Sequence, residues 1–425
     1  MTPMTPTKRY AVRAGSLLAA VSLAAAIVPA TSTLGATKAT SNPSNNFPSL
    51  KPATGPVFTI GMTNTEGAAG GLDYPEIRTF SQATVDYLNK HGGFGGRKIK
   101  LEACVVKASP ETSAACAQEL VGKKVDAVLL GLDIFPAYAT FEAAGIPVFG
   151  VLPILPGDYT AKALLFGGGN ATSMAATAAA AKIKYNAKNV SIIAADNPGT
   201  AGTVAALEGS LKKAGITFKT VKGGDNETDA GYQGLMREAA KDNPDVLISL
   251  YGDAGCIGTM RGRASLGIKI PVLTTAICAG RKVTAAVGDD ALGWGFIGIQ
   301  TDRITPERTI LQNILAPTLK VKPAEVDPTA LSLGALGVQG VMTLAEHANR
   351  MKTKGTKVTA ASLFSFIKAS RGTTVWPNGA AMECGGLAAY PAVCAFSFPV
   401  AEYTKGGENV TIPGLESVPT KDFLP

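Results

Sequence analysis

Histidine is nearly missing from this 425-residue chain, which has only His91 and His347. A secreted hydrolase of the usual kind needs a nucleophile, a base and a group to orient the base. No Gly-x-Ser-x-Gly elbow is present, and neither histidine follows a strand pattern, so that class is disfavoured. Cysteine is limited to six residues with no Cys-x-x-Cys pair. With so few imidazoles this argues against a metal centre, and no cofactor is expected. Charged residues make up only 17%. Lys and Arg are scattered among carboxylates, without basic runs or interleaved aromatics, so a nucleic-acid partner is not expected. The one long apolar stretch, residues 14–30, is alanine-rich, reaches Pro29, and is too short and weak to span a bilayer.

That stretch follows Lys8, Arg9 and Arg13, which supply three of the eight net positive charges. The pattern reads as a Sec-type export signal over residues 1–36, ending after Val28-Pro29-Ala30 or Leu34-Gly35-Ala36. Lys8-Arg9 is not a twin-arginine pair. No cysteine precedes Cys104, so no lipobox is expected. Residues 37–55, rich in Ser, Asn, Pro and Thr, read as a disordered tether. The remainder, at 46% apolar residues overall, has the composition of a packed globular protein of two or three domains. In an exported chain six cysteines point to disulfides. They fall as Cys104 with Cys116, Cys256 with Cys278 and Cys384 with Cys394. Fifteen connectivities exist, and sequential pairing is favoured because each short segment returns near its start.

The chain is organised around residues 57–101. Val57-Phe58-Thr59-Ile60 is a strand ending at Gly61, and a polar, glycine-rich loop follows. Apolar residues over 77–88 then keep a mostly helical spacing. His91-Gly92-Gly93-Phe94-Gly95-Gly96-Arg97 ends that helix, and Lys98-Ile99-Lys100-Leu101 begins a second strand. This is a βαβ unit with parallel strands. The run Leu88-Asn89-Lys90-His91-Gly92-Gly93-Phe94-Gly95-Gly96-Arg97-Lys98-Ile99 resembles the signature of type I periplasmic solute-binding proteins. Within them it is similar to the branched-chain amino-acid receptors of ABC importers. The resemblance implies two open parallel α/β lobes joined by crossover strands. It also implies a small-molecule ligand, a membrane permease as partner, hinge closure on the ligand, and no catalysis; a monomer is expected. A ligand-sensing receptor subunit of the same fold is the alternative.

Down the chain, Ser109-Pro110-Glu111 starts a helix with serine as N-cap and proline in the first turn. Strands are expected at 125–131 and 145–150, and 163–166 as the first crossover. Gly167-Gly168-Gly169 lacks the Lys-Ser/Thr of a phosphate loop and reads as a hinge. A second alternating series follows. It has strands at 190–195, 216–221, 245–250 and 271–275, helices at 201–214 and 232–241, and a return crossover at 296–300. Helices at 331–351 and 360–370 return to the first lobe. The expected division is 56–167 with 300–375 as the first lobe, and 168–299 with 376–425 as the second.

In open α/β sheets ligands sit beyond the carboxyl ends of the strands. The loops there are 63–74, 132–138, 151–156, 196–201, 251–255 and 275–277. In the family such loops hold an amino acid's carboxylate with hydroxyls and main-chain N–H groups, and its ammonium with a second-lobe carboxylate. Here Leu132-Asp133-Ile134-Phe135-Pro136 replaces the serine-rich loop, and Val151-Leu152-Pro153-Ile154 replaces the Ala/Thr pair. Ala276 falls where the glutamate is expected. The candidate ligand contacts are Asn64, Glu66, Asp133, Leu152, Thr200, Tyr251, Asp253 and Thr275. Each has a structural alternative: loop capping for Glu66 and Asp133, core packing for Tyr251, helix N-capping for Asp253. His91 reads as a surface cap, His347 as a helix-face residue beside Glu346, and Trp376 as a lobe-packing aromatic. The expected ligand is a small solute, amino-acid-like or an organic acid or amide.

Overall fold

The computed structural model describes residues 51–68, 73–298, 306–328, 331–375, 380–405, 407 and 409–425. The export signal, most of the tether, part of the glycine-rich loop, residues 299–300 of the return crossover and Trp376 lie outside them.

The first sheet carries β1 (Gly55–Thr65), β2 (Arg97–Val106), β3 (Ala127–Leu130), β4 (Val148–Gly150) and β5 (Ala163–Leu165), in the order β2-β1-β3-β4-β5. All neighbours are parallel, with Ile60 opposite both Leu101 and Ala127. The connecting helices are α1 (Pro75–Lys90), α2 (Pro110–Gly122), α3 (Tyr138–Ala143) and α4 (Pro156–Thr160). Phe58, Ile60 and Met62 alternate into one buried face, as the period of a strand requires. Gly61 faces the other way, where a Cβ would meet Leu120 and Val125 at 3.1 Å.

The turn after α1 shows why its residues recur together. Asn89 receives the Ile99 N–H on Oδ1 at 2.7 Å and donates Nδ2 to the Ile99 carbonyl at 2.8 Å. One side chain thus replaces a strand partner at the edge of β2. Gly93 has φ +61°, and a Cβ there would lie 2.0 Å from the Arg97 carbonyl oxygen, so only glycine fits. Arg97 lies over the Phe58 ring at 5.0 Å and donates to the carbonyls of Pro56, Val57 and Val358.

The second sheet follows α5 (Gly169–Tyr185). Its elements are β6 (Asn189–Ala195), α6 (Pro198–Ala214), β7 (Thr217–Gly223), α7 (Asp229–Ala240), β8 (Val246–Leu250), α8 (Asp253–Ser265), β9 (Val272–Thr275), α9 (Arg281–Val287) and β10 (Trp294–Ile297). Then come α10 (Pro306–Leu319), α11 (Ala335–Thr353) and α12 (Ala360–Ala369), which pack on the first sheet. The chain ends in short strands: β11 (Arg371–Val375), β12 (Ala380–Glu383), β13 (Ser397–Phe398), β14 (Val400–Tyr403), β15 (Asn409–Thr411) and β16 (Val418–Pro419). The second sheet has the order β15-β14-β10-β9-β8-β6-β7, and β14 and β15 run antiparallel along one edge.

Residues 380–395, expected with the second lobe, instead pack on the first. Met382, Cys384, Cys394 and Ala395 join the first core, and Val393 bridges to Leu165 of β5. The cause is the edge of β5: the Leu165 N–H and carbonyl bond to Ala392 and Cys394, which closes that edge. At the expected hinge, Gly168 and Gly169 have φ +80° and +70°. A Cβ on Gly169 would lie 1.9 Å from the Pro153 carbonyl oxygen, so glycine serves a close approach of chain to chain.

The cysteines pair as 104–116, 256–278 and 384–394, with Cα separations of 5.6, 5.4 and 3.6 Å. The first bridge ties β2 to α2, and the second ties the start of α8 to the turn after β9. No helix among the described residues is long and apolar enough to cross a membrane.

His347 lies on a face of α11 next to Glu346, and both are fully buried. The His347 Nδ1 pairs with the Thr343 carbonyl at 2.8 Å, but Nε2 has no partner. Neither Glu346 oxygen accepts a hydrogen bond, and the Arg350 guanidinium stands 3.9 Å away. Burial raises the Glu346 carboxyl to about 7 against a lowering by Arg350, with Glu307 adding to the rise. Burial lowers His347 to about 4, with the Thr343 carbonyl opposing and Arg350 assisting.

The two linkages have opposite signs. Glu346 contributes stability that is complete below pH 4.5 and lost as pH rises through 7. His347 contributes stability that is complete above pH 6.5 and lost as pH falls toward 4. Glu346→Gln removes the first and leaves the second. Urea titrations of the variant are expected to show stability rising with pH up to the His347 limit and flat beyond it. At pH 8 the variant should gain on the order of 2 kcal/mol over the parent. Superimposable profiles would refute this account. Asn89→Ala, by orphaning both backbone groups of the buried Ile99, should cost about 2 kcal/mol in the same titration. A loss within error would mean that water replaces the clamp.

Candidate functional site

At the carboxyl end of β1, Asn64 is fully buried. Its Nδ2 donates to the Tyr74 carbonyl at 2.9 Å and to Glu66 Oε1 at 3.2 Å, while Oδ1 accepts the Leu132 N–H at 3.0 Å. Asn64 therefore ties its own loop, at Glu66 and Tyr74, to the loop after β3 at Leu132. Glu66 is gripped by Arg78, Nε on Oε1 at 2.7 Å and Nη2 on Oε2 at 2.9 Å. Such a two-pronged pair is strong and directional. Arg78 is the main reason that the Glu66 carboxyl sits below its ordinary range, against the opposing effect of burial. Lys107 donates to the Glu66 carbonyl at 2.7 Å.

Asp133, after β3, is buried beneath α2. Its Oδ1 accepts from Ser113 Oγ at 2.7 Å and from the Phe135 N–H at 3.1 Å. Its Oδ2 and the neighbouring Thr63 hydroxyl are both buried without a well-formed hydrogen bond. Burial pushes the Asp133 carboxyl up, opposed by Ser113, Thr63 and the Phe135 amide. Leu152, in the loop after β4, is half-buried, and Phe135 is 37% exposed.

Asp158 was not anticipated, yet it shapes the loop after β4. It accepts the N–H groups of Ile154 and Leu155 at 2.6 and 2.8 Å and the Tyr138 hydroxyl at 3.0 Å. The signal was readable: Pro156 followed by an aspartate in the first helical turn is a cap pattern.

In the second lobe the helices begin earlier than expected, which shortens two loops. Asn197 caps α6, its Oδ1 receiving the Thr200 N–H at 2.7 Å, so Thr200 lies in the first turn of a helix. Asp253 opens α8, where a carboxylate favours the N-terminus. It pairs with Lys282 at 3.1 Å. Tyr251 is buried with its ring edge-on to Tyr232 at 5.8 Å, and its hydroxyl has no partner. Burial pushes that phenol well above its ordinary value. Thr275, half-buried, ends β9.

The two lobes meet at these edges. The turn Ala276–Ala279 touches the turn Ser332–Gly334 that leads into α11. Asp253 also acts electrostatically on the start of α1: burial and then Asp253 raise Tyr74, and burial, Asp73, Asp253 and Glu66 raise Glu76. Asn64 and Glu66 are in direct contact. Among the described residues no hydrogen bond or ion pair joins Asp133 to Glu66, or any of Thr200, Tyr251, Asp253 and Thr275 to one another. A hollow of about 390 Å³ lies elsewhere, between α7, α8 and the turn after α9, and none of these residues lines it.

Tyr251→Phe separates packing from recognition. With no hydrogen bond to lose, thermal stability should stay within about 1 kcal/mol of the parent. If the hydroxyl meets a ligand, affinity falls while stability does not. A large loss of stability would show that the phenol has a partner.

Comparison with known proteins supplies the context. The sequence profile described as "Periplasmic binding protein" matches residues 57–382. An ABC transporter substrate-binding protein from Sphaerobacter thermophilus superposes with a TM-score of 0.69 at 17% identity, over 87% of this chain and 99% of that one. The branched-chain amino acid transporter substrate-binding protein of Streptococcus pneumoniae, solved with isoleucine, gives 0.60 at 17%, over 84% and 100%. A solute-binding protein of an ABC transporter from R. palustris, solved with benzoate, gives 0.59 at 16%, over 85% and 97%. At these identities the likeness is one of fold. No curated protein matches the chain.

Proposed function

The chain belongs to the periplasmic binding protein family, and we propose that it is an exported receptor that captures a small organic solute between its lobes and delivers it to an ABC permease. The observation that carries this reading is the approach of the lobes beside the strand ends, where the turn Ala276–Ala279 after β9 meets the turn Ser332–Gly334 that leads into α11. A solute held there would be enclosed by hinge closure. The reading is of a binder rather than an enzyme, since His91 stacks on Tyr87 at 3.9 Å and His347 is buried in the core of the first lobe.

The ligand is an uncharged or cationic solute with an apolar body. Isoleucine and benzoate, bound by the two relatives above, both carry a carboxylate. Here the cations at the strand ends are already engaged: Arg78 by Glu66, Lys107 by the Glu66 carbonyl, and Lys282 by Asp253. Leu132, Val151 and Leu152 stand where the family places hydroxyls or small residues. An anion enclosed without a partner costs several kcal/mol. Among the described residues at the strand ends, Asp133 Oδ2, the Thr63 hydroxyl beside it and the Tyr251 hydroxyl make no well-formed hydrogen bond. The proposed contacts are Asp133, Leu152, Thr200, Tyr251 and Thr275, while Asn64 and Glu66 shape the loops and Asp253 lies at the rim.

A thermal-shift screen of amines, amides, amino acids and organic acids tests the reading. A true ligand at 100 times its Kd adds about 2.7 kcal/mol to the folded state. Amines or amides with apolar bodies should raise Tm, and carboxylic acids should not. Calorimetric titration with leucine, isoleucine and valine should show no binding at micromolar concentration. Micromolar binding of any of them would mean that backbone N–H groups form an anion cradle after all.

A further inference from the structure

The opposite pole of the second lobe carries an unusual concentration of unpaired positive charge. The amino ends of three strands line up there: the Thr217 N–H bonds to the Lys188 carbonyl at 2.9 Å, and the Asp245 N–H to the Asn189 carbonyl at 3.0 Å. The last turns of α5 and α6, helices that pack side by side, end at the same pole. They bring Lys182 and Lys184 from one and Lys212 and Lys213 from the other beside Lys188. All five lysines are exposed. None has a carboxylate partner among the described residues: Lys184 reaches only the Pro413 carbonyl, at 3.2 Å, and Lys212 lies 5.8 Å from the centre of the Phe218 ring.

Four acids of this pole are engaged, while Glu402, near Tyr185 at the end of α5, stays exposed. Asp245 accepts the N–H groups of Lys188 and Asn189, Asp242 and Glu238 hold Lys219, and Glu208 accepts from Thr220. Lysines in the last turn of a helix also offset its dipole, but Lys188 lies beyond any helix. Nor does the dipole explain Ile183, which is 42% exposed between Lys182 and Lys184.

We propose that this pole is a docking surface for an anionic lipid bilayer. Lysine side chains are drawn to the phosphates of such a surface, and the attraction falls off within a Debye length. An apolar side chain amid them gains by entering the boundary between headgroups and acyl chains. That second contribution favours a bilayer over a soluble polyanion, which gives Ile183 nothing to enter. The candidate ligand-binding loops stand at the other end of the same strands, so docking leaves them free. The inference does not rest on the ligand or on the permease.

The test is co-sedimentation of the purified protein with vesicles of phosphatidylcholine alone or mixed with phosphatidylglycerol, at low and high salt. Binding is expected only to the anionic vesicles and should fall at high salt. Replacing Lys182, Lys184, Lys188, Lys212 and Lys213 by Gln should weaken it by about ten-fold or more. Ile183→Asn, which keeps the charge, should weaken it several-fold. Lys90→Gln with Lys98→Gln, exposed lysines of the first lobe, should leave it unchanged. The proposal fails if the parent ignores anionic vesicles or if the five-lysine variant binds as well as the parent. It also fails if Ile183→Asn has no effect, or if the protein binds heparin but not vesicles.

Discussion

The clamp of Asn89 on Ile99 is the interaction on which the architecture most depends. It sets the edge strand of the first sheet against the end of α1. The glycine turn beside it lets Arg97 fold back over Phe58 and reach the Val358 carbonyl. Asn349 of α11 accepts the Gly95 N–H at 2.9 Å. A dozen residues of one turn therefore join the first βαβ unit to helices more than 250 positions away in the chain. Because these are backbone groups that would otherwise be buried unpaired, the arrangement tolerates little change.

The strand ends show how a shared fold can carry different side chains at its loops. Most charged groups there serve the protein itself. Arg78 and Glu66 neutralise each other, Asn64 staples two loops, and Asp158 caps α4. What remains is the half-buried Leu152 and a few buried polar atoms that form no hydrogen bond among the described residues. A fold places loops at the mouth of a cleft; the side chains on those loops decide what enters.

Fold and site differ in how far they can be read along the chain. The alternation of strands and helices, the Ser109 cap and the sequential disulfides depend on residues close in sequence, and the structure has all of them. Helix starts were placed too late at α6 and α7, which begin at Pro198 and Asp229 rather than at 201 and 232, although proline and aspartate both suit a first turn. Glu66 and Asp253 were legible as carboxylates at strand ends, but not their engagement by Arg78 and Lys282.

The sequence by itself determined the parallel α/β class and the family signature around Asn89 and Gly93, and it favoured the sequential disulfides that the structure then fixed, because each rests on local spacing. Only the tertiary structure decided that Glu346 and His347 are buried together, that residues 380–395 close the edge of the first sheet, and that lysines from two helices share a pole. Periodicity tells which face of an element is apolar, but not which distant segment covers it. That choice is made by packing, where chain neighbours matter less than the volume and hydrogen bonds that a segment can supply.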